Sequence, residues 1–483
     1  MGTARRTRPL AQLADLLIEW RLQLEHHVGA PRGGVIDERG AGGLVLGVGV
    51  AGDLAGPGAS GSSLGRNVGV VRVYRGTAST PFQTLSGFVG HGDSDEFGWD
   101  VSAAGDVDGD GLPDLAVLAR SEDIPTTLDP ALYEVGPGCE RRDNTGAIYV
   151  FRGRSDGNFD TGPAFVYFGP EANQRIERIL GGLDLDGDGL SALVAGAREW
   201  DAAGTNAGGV AIVRGRSPVA DRIVAICTPD TLVPGVAGER LGAALARAGD
   251  LDGDGCDDLL AGAPEAAPTG APRVAGAVRV FFGAGTACAS TAVRSVTLVG
   301  TNADAQAGSA LSDALDVTGD GVPDFVVGAP RFRDARGGVG SAVLVSGAYV
   351  RAAIGAADPR PLVEPGAAQR VWTGTGAGER LGTSVALVAG PDGAPVALLG
   401  GPFGSTAGRV DTGSVVVVPI GRDGFGATIA TQIAGESTGI GQLGETLAAV
   451  RAGTRTFVAV GAPFSSLVAR EDGASYAFTL PAP

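Results

Sequence analysis

Four short segments of this chain concentrate carboxylates at one fixed spacing. They are Asp106-Val107-Asp108-Gly109-Asp110-Gly111-Leu112-Pro113-Asp114, then Asp184 to Ala192, Asp250 to Asp258, and Asp316 to Asp324. With each loop numbered from its first aspartate, oxygens at positions one, three, five and nine, plus a backbone carbonyl at seven, can wrap one hard cation. Glycine at position six permits the sharp turn that brings those oxygens together. The candidate ligands are therefore Asp106, Asp108, Asp110, Leu112 and Asp114 in the first loop, and Asp184, Asp186, Asp188 and Leu190 in the second. The third loop offers Asp250, Asp252, Asp254, Cys256 and Asp258, and the fourth Asp316, Thr318, Asp320, Val322 and Asp324. A flexible cage made wholly of protein oxygens suits Ca²⁺ better than the smaller Mg²⁺. Up to four ions are expected. The loops at Asp106 and Asp250 are complete, Thr318 offers a hydroxyl in place of a carboxylate, and Ala192 at position nine implies weaker binding in the second loop.

An EF-hand begins in a similar way but requires a bidentate Glu at position twelve and a helix on either side. Here position twelve is Val117, Ala195, Ala261 or Val327, and flanks such as Leu259-Leu260-Ala261 and Phe325-Val326-Val327 read as buried strands. The loops therefore belong on β-hairpins. Asp-Gly runs also form ordinary turns, and one copy would not exclude that reading. Four copies in register argue against it, because clustered carboxylates with no cation repel one another.

The elements that position these loops repeat along the chain. Glu239-Arg240-Leu241-Gly242, the acidic run from Asp250, Ala261-Gly262-Ala263-Pro264 and Gly276-Ala277-Val278-Arg279-Val280-Phe281 form one copy. Ala307-Gly308-Ser309, the run from Asp316, Val327-Gly328-Ala329-Pro330 and Ser341-Ala342-Val343-Leu344-Val345 form the next, and the first three elements are offset by 66 residues, as from Asp250 to Asp316. Other copies start at Glu96-Phe97-Gly98, near Ile176, at Glu379-Arg380-Leu381-Gly382 and at Gln442-Leu443-Gly444. A Gly-x-Val-x-Val strand begins near Gly69, Gly146, Gly209, Gly276, Gly340, Gly413 and Gly473, which predicts seven units. Apolar runs within a unit are short and alternate with period two. Units of roughly 60–80 residues with four such runs match the blade of a propeller. The fold expected is all-β: a seven-bladed β-propeller of four-stranded antiparallel blades over residues 31–483. Residues 1–30 read either as an amphipathic helix, over 10–25, or as a strand within Trp20–His27 that closes the ring by completing the last blade.

Composition narrows the function. The 483 residues include 82 Gly with 44% hydrophobic residues, a balance of many tight turns with ample core rather than disorder. A net charge of −17 makes nucleic acid an unsuitable partner and cations the natural one. Cys139, Cys227, Cys256 and Cys288 have no C-x-x-C spacing; in an exported chain they allow up to two disulfides in three pairings, and otherwise they read as buried or free thiols. No apolar stretch is long enough to span a membrane. Arg5, Arg6 and Arg8 precede Leu10–Ala14 as in an export signal, but Asp15, Glu19, Arg21 and Glu25 interrupt the apolar segment. Either an export signal is missing from the given chain, or the protein is not exported by that route.

These residues resemble the FG-GAP repeats of the integrin α-subunit N-terminal β-propeller and of related bacterial proteins. Phe97-Gly98, Leu241-Gly242 and Leu381-Gly382 match the first motif, while Gly262-Ala263-Pro264, Gly328-Ala329-Pro330 and Gly461-Ala462-Pro463 match the second. The four acidic loops match the family's calcium loops. The resemblance implies a calcium-binding, extracellular or cell-surface propeller that acts in adhesion or ligand binding, with a protein or carbohydrate partner. No thigh-like domain, membrane helix, cytoplasmic tail or Asp-x-Ser-x-Ser motif accompanies it, so a whole integrin is not expected. The alternatives are a hydrolase-associated propeller and a purely structural surface protein. His26, His27 and His91, the three histidines, fall in no catalytic pattern, so no enzyme is expected. Trp99, Trp200 and Trp372 are candidates for either a ligand-binding rim or the core.

Overall fold

The short apolar runs form strands, joined where Gly, Pro and Asp cluster. The computed structural model of the chain describes residues 7–9, 20–23, 33–36, 45–50, 69–75 and 83–86, then 96–462 and 474–480 apart from short internal stretches. It is all-β, with one short helix, Gly347–Arg351, among the described residues. Two compact units are present, one of residues 24–243 and one of residues 1–23 with 244–483.

Within residues 24–243, one blade runs Phe97–Gly105, Asp114–Ala119, Ala147–Phe151 and Phe165–Phe168, each strand antiparallel to the next. Ile223–Ile226 and then Tyr133–Val135 extend this sheet in parallel. The following blade is Arg178–Leu183, Ala192–Gly196, Gly209–Val213 and Thr231–Pro234. The other unit holds three blades. They are Ala244–Gly249 through Arg294–Val299, Ala310–Leu311 through Val371–Thr373, and Ser384–Ala389 through Thr431–Ala434. Small antiparallel sheets thus succeed one another in a propeller arrangement within each unit.

The structure shows five blades where seven were expected, and it does not show ring closure. The expectation counted one recurring strand type. The strands after Gly69 and Gly473 do pair, in four-stranded sheets at Gly33–Ser86 and at Thr446–Thr479, but several of their strands are described by backbone alone. Trp20–Gln23 runs antiparallel to Ala474–Thr479, with Trp20 opposite Ala477. Residues 10–19 and 24–27 lie outside the described residues, as do His26, His27 and His91.

The core lies between neighbouring sheets. Asp114–Ala119 is buried along its whole length because both of its faces are covered. Leu115, Val117 and Ala119 pack on one side with Tyr149 and Phe151, whereas Ala116 and Leu118 pack on the other with Ile179, Leu193 and Ala195. Phe325–Ala329 divides in the same way, with Phe325 and Val327 on one face and Val326 on the other. Full burial of such side chains contributes about 1.5–3 kcal/mol each. Trp200 is 1% exposed and belongs to this core, while Trp372 packs edge-on against Phe425.

The two glycine motifs meet at the junction between blades. Gly308 donates its N–H to the Gly328 carbonyl of its own blade (3.1 Å), while its carbonyl faces Gly262 of the preceding one. A Cβ on Gly262 would lie 2.0 Å from that oxygen. The same contact recurs between Gly328 and Gly382 (2.1 Å) and between Gly400 and Gly444 (2.2 Å). The residue before each first-motif pair enters the left-handed region, with φ of 55° at Gln306, 52° at Arg380 and 53° at Gln442. Backbone thus presses on backbone, and no side chain can rotate to relieve a methyl group there. We predict that Gly262→Ala loses roughly 1–3 kcal/mol in urea denaturation. Gly162→Ala, whose Cβ would meet nothing within 4 Å, should be neutral. Equal stability of the two variants would refute the contact as the limit on blade spacing.

Candidate metal centre

Each acidic loop joins the first and second strands of a blade, so the four occupy equivalent places. The backbone closes around the position-one carboxylate. Asp106 Oδ1 accepts the Gly109 N–H (2.7 Å) and Oδ2 the Gly111 N–H (2.8 Å). Asp184, Asp250 and Asp316 repeat both bonds with their own glycines. Positions four and six are both left-handed, with φ of 82° and 85° at Gly109 and Gly111. Position five accepts the N–H of position seven, as Asp110 does from Leu112, Asp188 from Leu190, Asp254 from Cys256 and Asp320 from Val322.

Position nine has a second task. Asp114, Asp258 and Asp324 are fully buried. One oxygen of each accepts the N–H of position two: Val107 (3.0 Å), Leu251 (2.7 Å) and Val317 (3.0 Å). The other accepts the N–H of a glycine after the blade's third strand: Gly153, Gly283 or Gly347. These carboxylates clamp the loop to the body of the blade. Burial pushes Asp114 up to about 7, against the two backbone N–H groups that lower it, with the charges of Asp108 and Asp110 adding to the rise. Asp258 also reaches about 7 through burial, and Asp324 moves upward for the same reason.

The structure brings together oxygens of Asp106, Asp108 and Asp114, all within 4.8 Å of one another, and likewise those of Asp184, Asp186 and Asp188 and those of Asp250, Asp252 and Asp254. Asp110 stands apart from the first set, and Asp258 and Asp324 act through the clamp. Ala192 leaves the second loop without one. Within the acidic loops, three buried side-chain oxygens of the described residues lack hydrogen bonds: Asp108 Oδ2, Asp254 Oδ2 and Thr318 Oγ1. Unsatisfied buried acceptors at loop positions three and five suit a hard divalent cation, so the donor sets fit Ca²⁺.

Arginines, which the spacing did not reveal, also reach these loops. Arg152 Nε lies 2.5 Å from Asp108 Oδ2 in an ion pair outside hydrogen-bond geometry, and its Nη2 lies 3.3 Å from Asp110. Arg214 lies 2.7 Å from Asp186, and Arg294 pairs with Asp252 and approaches Asp254 at 3.6 Å. Arg152-Gly153 and Arg214-Gly215 share a place after the third strand, a signal visible in the sequence; Arg294 has no such signal. All four cysteines pair, Cys139 with Cys227 and Cys256 with Cys288, so position seven of the third loop is tied to the connection that precedes Arg294.

The FG-GAP repeat model matches residues 97–151 and 242–281. Each stretch contains one of the two loops that carry every aspartate. The chain carries FG-GAP repeats. Mouse (Mus musculus) integrin alpha-E is 29% identical over 160 residues, which is 31% of this chain and 11% of that protein. The FG-GAP motifs are thus the glycine pairs of the blade junction, with the acidic loop between them.

The clamps set a pH dependence for protein stripped of divalent ions. With Asp114 and Asp258 near 7 in the fold and near an ordinary aspartate value when unfolded, the native state holds protons that the unfolded chain has released. Their contribution to stability is therefore present below about pH 4 and lost as pH rises toward 7. In chelator, the melting temperature should fall from pH 5 to pH 8 by more in the parent than in Asp114→Asn/Asp258→Asn. Identical pH profiles of the two proteins would contradict the buried, raised carboxyls.

Proposed function

We propose that this chain is an extracellular, calcium-binding β-propeller that recognises a protein or carbohydrate ligand and acts as an adhesion module rather than an enzyme. One observation carries the reading. The two repeats matching the FG-GAP model each hold a complete acidic loop in which three carboxylates, Asp106, Asp108 and Asp114 or Asp250, Asp252 and Asp254, bring oxygens within 4.8 Å of one another. One arginine offsets only part of that charge, and a divalent ion neutralises carboxylates that otherwise repel.

The similarity to an integrin α-subunit supports ligand binding as the class of function. It covers a minor part of both chains, so the ligand is proposed by chemistry and not by name. Two disulfides support an oxidising compartment. No helix of the described residues is long and apolar enough to cross a membrane. The aspartates with loop duties are committed to turns, clamps and ion pairs, which leaves them unsuited to acid–base catalysis.

Calcium acts on stability in this reading. With Kd of about 0.1 mM and about 2 mM free ion, each occupied site adds about 2 kcal/mol. Calcium should raise the melting temperature by several degrees, EDTA should reverse the rise, and Asp106→Asn/Asp250→Asn should remove most of it. A melt insensitive to calcium, together with no ion in the purified protein, would overturn the metal reading. Binding on glycan and matrix-protein arrays that depends on calcium tests the adhesion role, and turnover on a hydrolase substrate panel would displace it.

A further inference from the structure

We propose that Arg152, Arg214 and Arg294 are built-in counter-ions of the acidic loops, holding them closed without a divalent ion and competing with that ion for the position-three carboxylates. This rests on the loops being divalent-cation sites and adds to it a set of residues that weaken and gate the binding.

The pattern is internal to the chain. Each loop with aspartate at position three has a guanidinium against it: Arg152 on Asp108, Arg214 on Asp186 and Arg294 on Asp252. In the first two, the arginine directly precedes the glycine that follows the blade's third strand. In the third loop that place is Phe282, and the guanidinium arrives instead from Arg294 at the start of the fourth strand, 5.5 Å from the Phe282 ring centroid. The chain has thus supplied the same charge by a second route. In the fourth loop the place is Ser346 and position three is the uncharged Thr318; the guanidinium near it, Arg422, lies beside Gly319 at position four.

The physical roles follow from burial. The Asp108, Asp186 and Asp252 side chains are 0%, 12% and 4% exposed, so each would be left charged and poorly solvated without a partner. The arginines are 35%, 48% and 36% exposed, so each guanidinium can swing into solvent when a stronger cation arrives. A guanidinium within 3 Å of a ligand oxygen repels an incoming dication strongly in this partly buried setting. Loading therefore exchanges one cation for another, and it frees up to three arginines at equivalent edges of the blades.

The test uses the full chain with CaCl2 as the probe, in Arg152→Gln, Arg214→Gln and Arg294→Gln, with Arg141→Gln on the exposed surface as control. Calorimetric titration should show calcium bound on the order of tenfold more tightly at the altered loop. Melting in EDTA should occur at a lower temperature than in the parent, and melting in calcium should recover. Arg214, the most exposed of the three, is the variant safest for folding. If the parent binds calcium and the variants bind it equally or more weakly, the competition is overturned while the metal reading stands. If the parent binds no calcium, the metal reading falls and the EDTA melts decide the rest: unchanged melting in all three variants overturns the counter-ion role as well.

Discussion

A single kind of contact governs this structure: the carbonyl of one glycine pressed against the α-carbon of another in the preceding blade. Three junctions within the unit of residues 1–23 and 244–483 show it, at Gly262–Gly308, Gly328–Gly382 and Gly400–Gly444, with a virtual Cβ at 2.0 to 2.2 Å from oxygen. The glycine that offers its carbonyl also bonds through its N–H to its own blade, as Gly382 does to the Gly400 carbonyl at 2.9 Å. One residue therefore fixes two sheets at once. Its geometry requires the turn before it to be left-handed, which Arg240, Gln306, Arg380 and Gln442 all adopt. The apolar face of Val326 can interdigitate with the next sheet because this junction sets their separation.

From that spacing follows the environment of the acidic loops. A loop at the head of a blade meets the ends of the third and fourth strands, and this is where Gly153 N–H, Arg152 and Arg294 come from. The aspartates then divide their labour by depth. Position one organises the turn, position nine is buried as a clamp, and positions three and five are left with an acceptor that the protein satisfies only in part. The charge of −17 is thus not spread as a solvated coat alone. Part of it is gathered at sites where burial, ion pairing and loop dipoles compete over each carboxylate.

What the sequence made legible was what repeats locally. The all-β class, the placement of the loops on hairpins and the glycine motifs depend on spacings of a few residues, and they read directly from period two and from the Asp-Gly pattern. The partners of those loops did not, because they arrive through the tertiary fold. Arg294 is forty residues beyond Asp254, and only the sheet brings it back. Position nine was legible as a candidate ligand but not as a clamp, because its spacing is the same whether its oxygens face an ion, a backbone N–H or both, and burial is not local. Trp200 could equally have lined a rim until the sheets around it closed. The cysteine pairing was open for the same cause, since Cys139 meets Cys227 across 88 residues.

The blade at Ser384–Ala434 separates the requirements of the fold from those of the loops. Its first hairpin turns at Gly390–Ala394 with no acidic cluster, closed by the Gly390 N–H on the Ala394 carbonyl and by Asp392 on the Ala394 N–H. Its strands keep register from Ser384–Gly400 to Ala389–Pro395, and its junction glycines, Gly400 and Gly444, meet as closely as any. A blade therefore assembles here with a plain turn where its neighbours carry nine-residue acidic loops. The acidic loop is not what makes the sheet. Its carboxylates, whose burial costs stability wherever they lack a partner, are met by backbone N–H groups at position nine and by arginines at position three, and none of this is a requirement for pairing the strands.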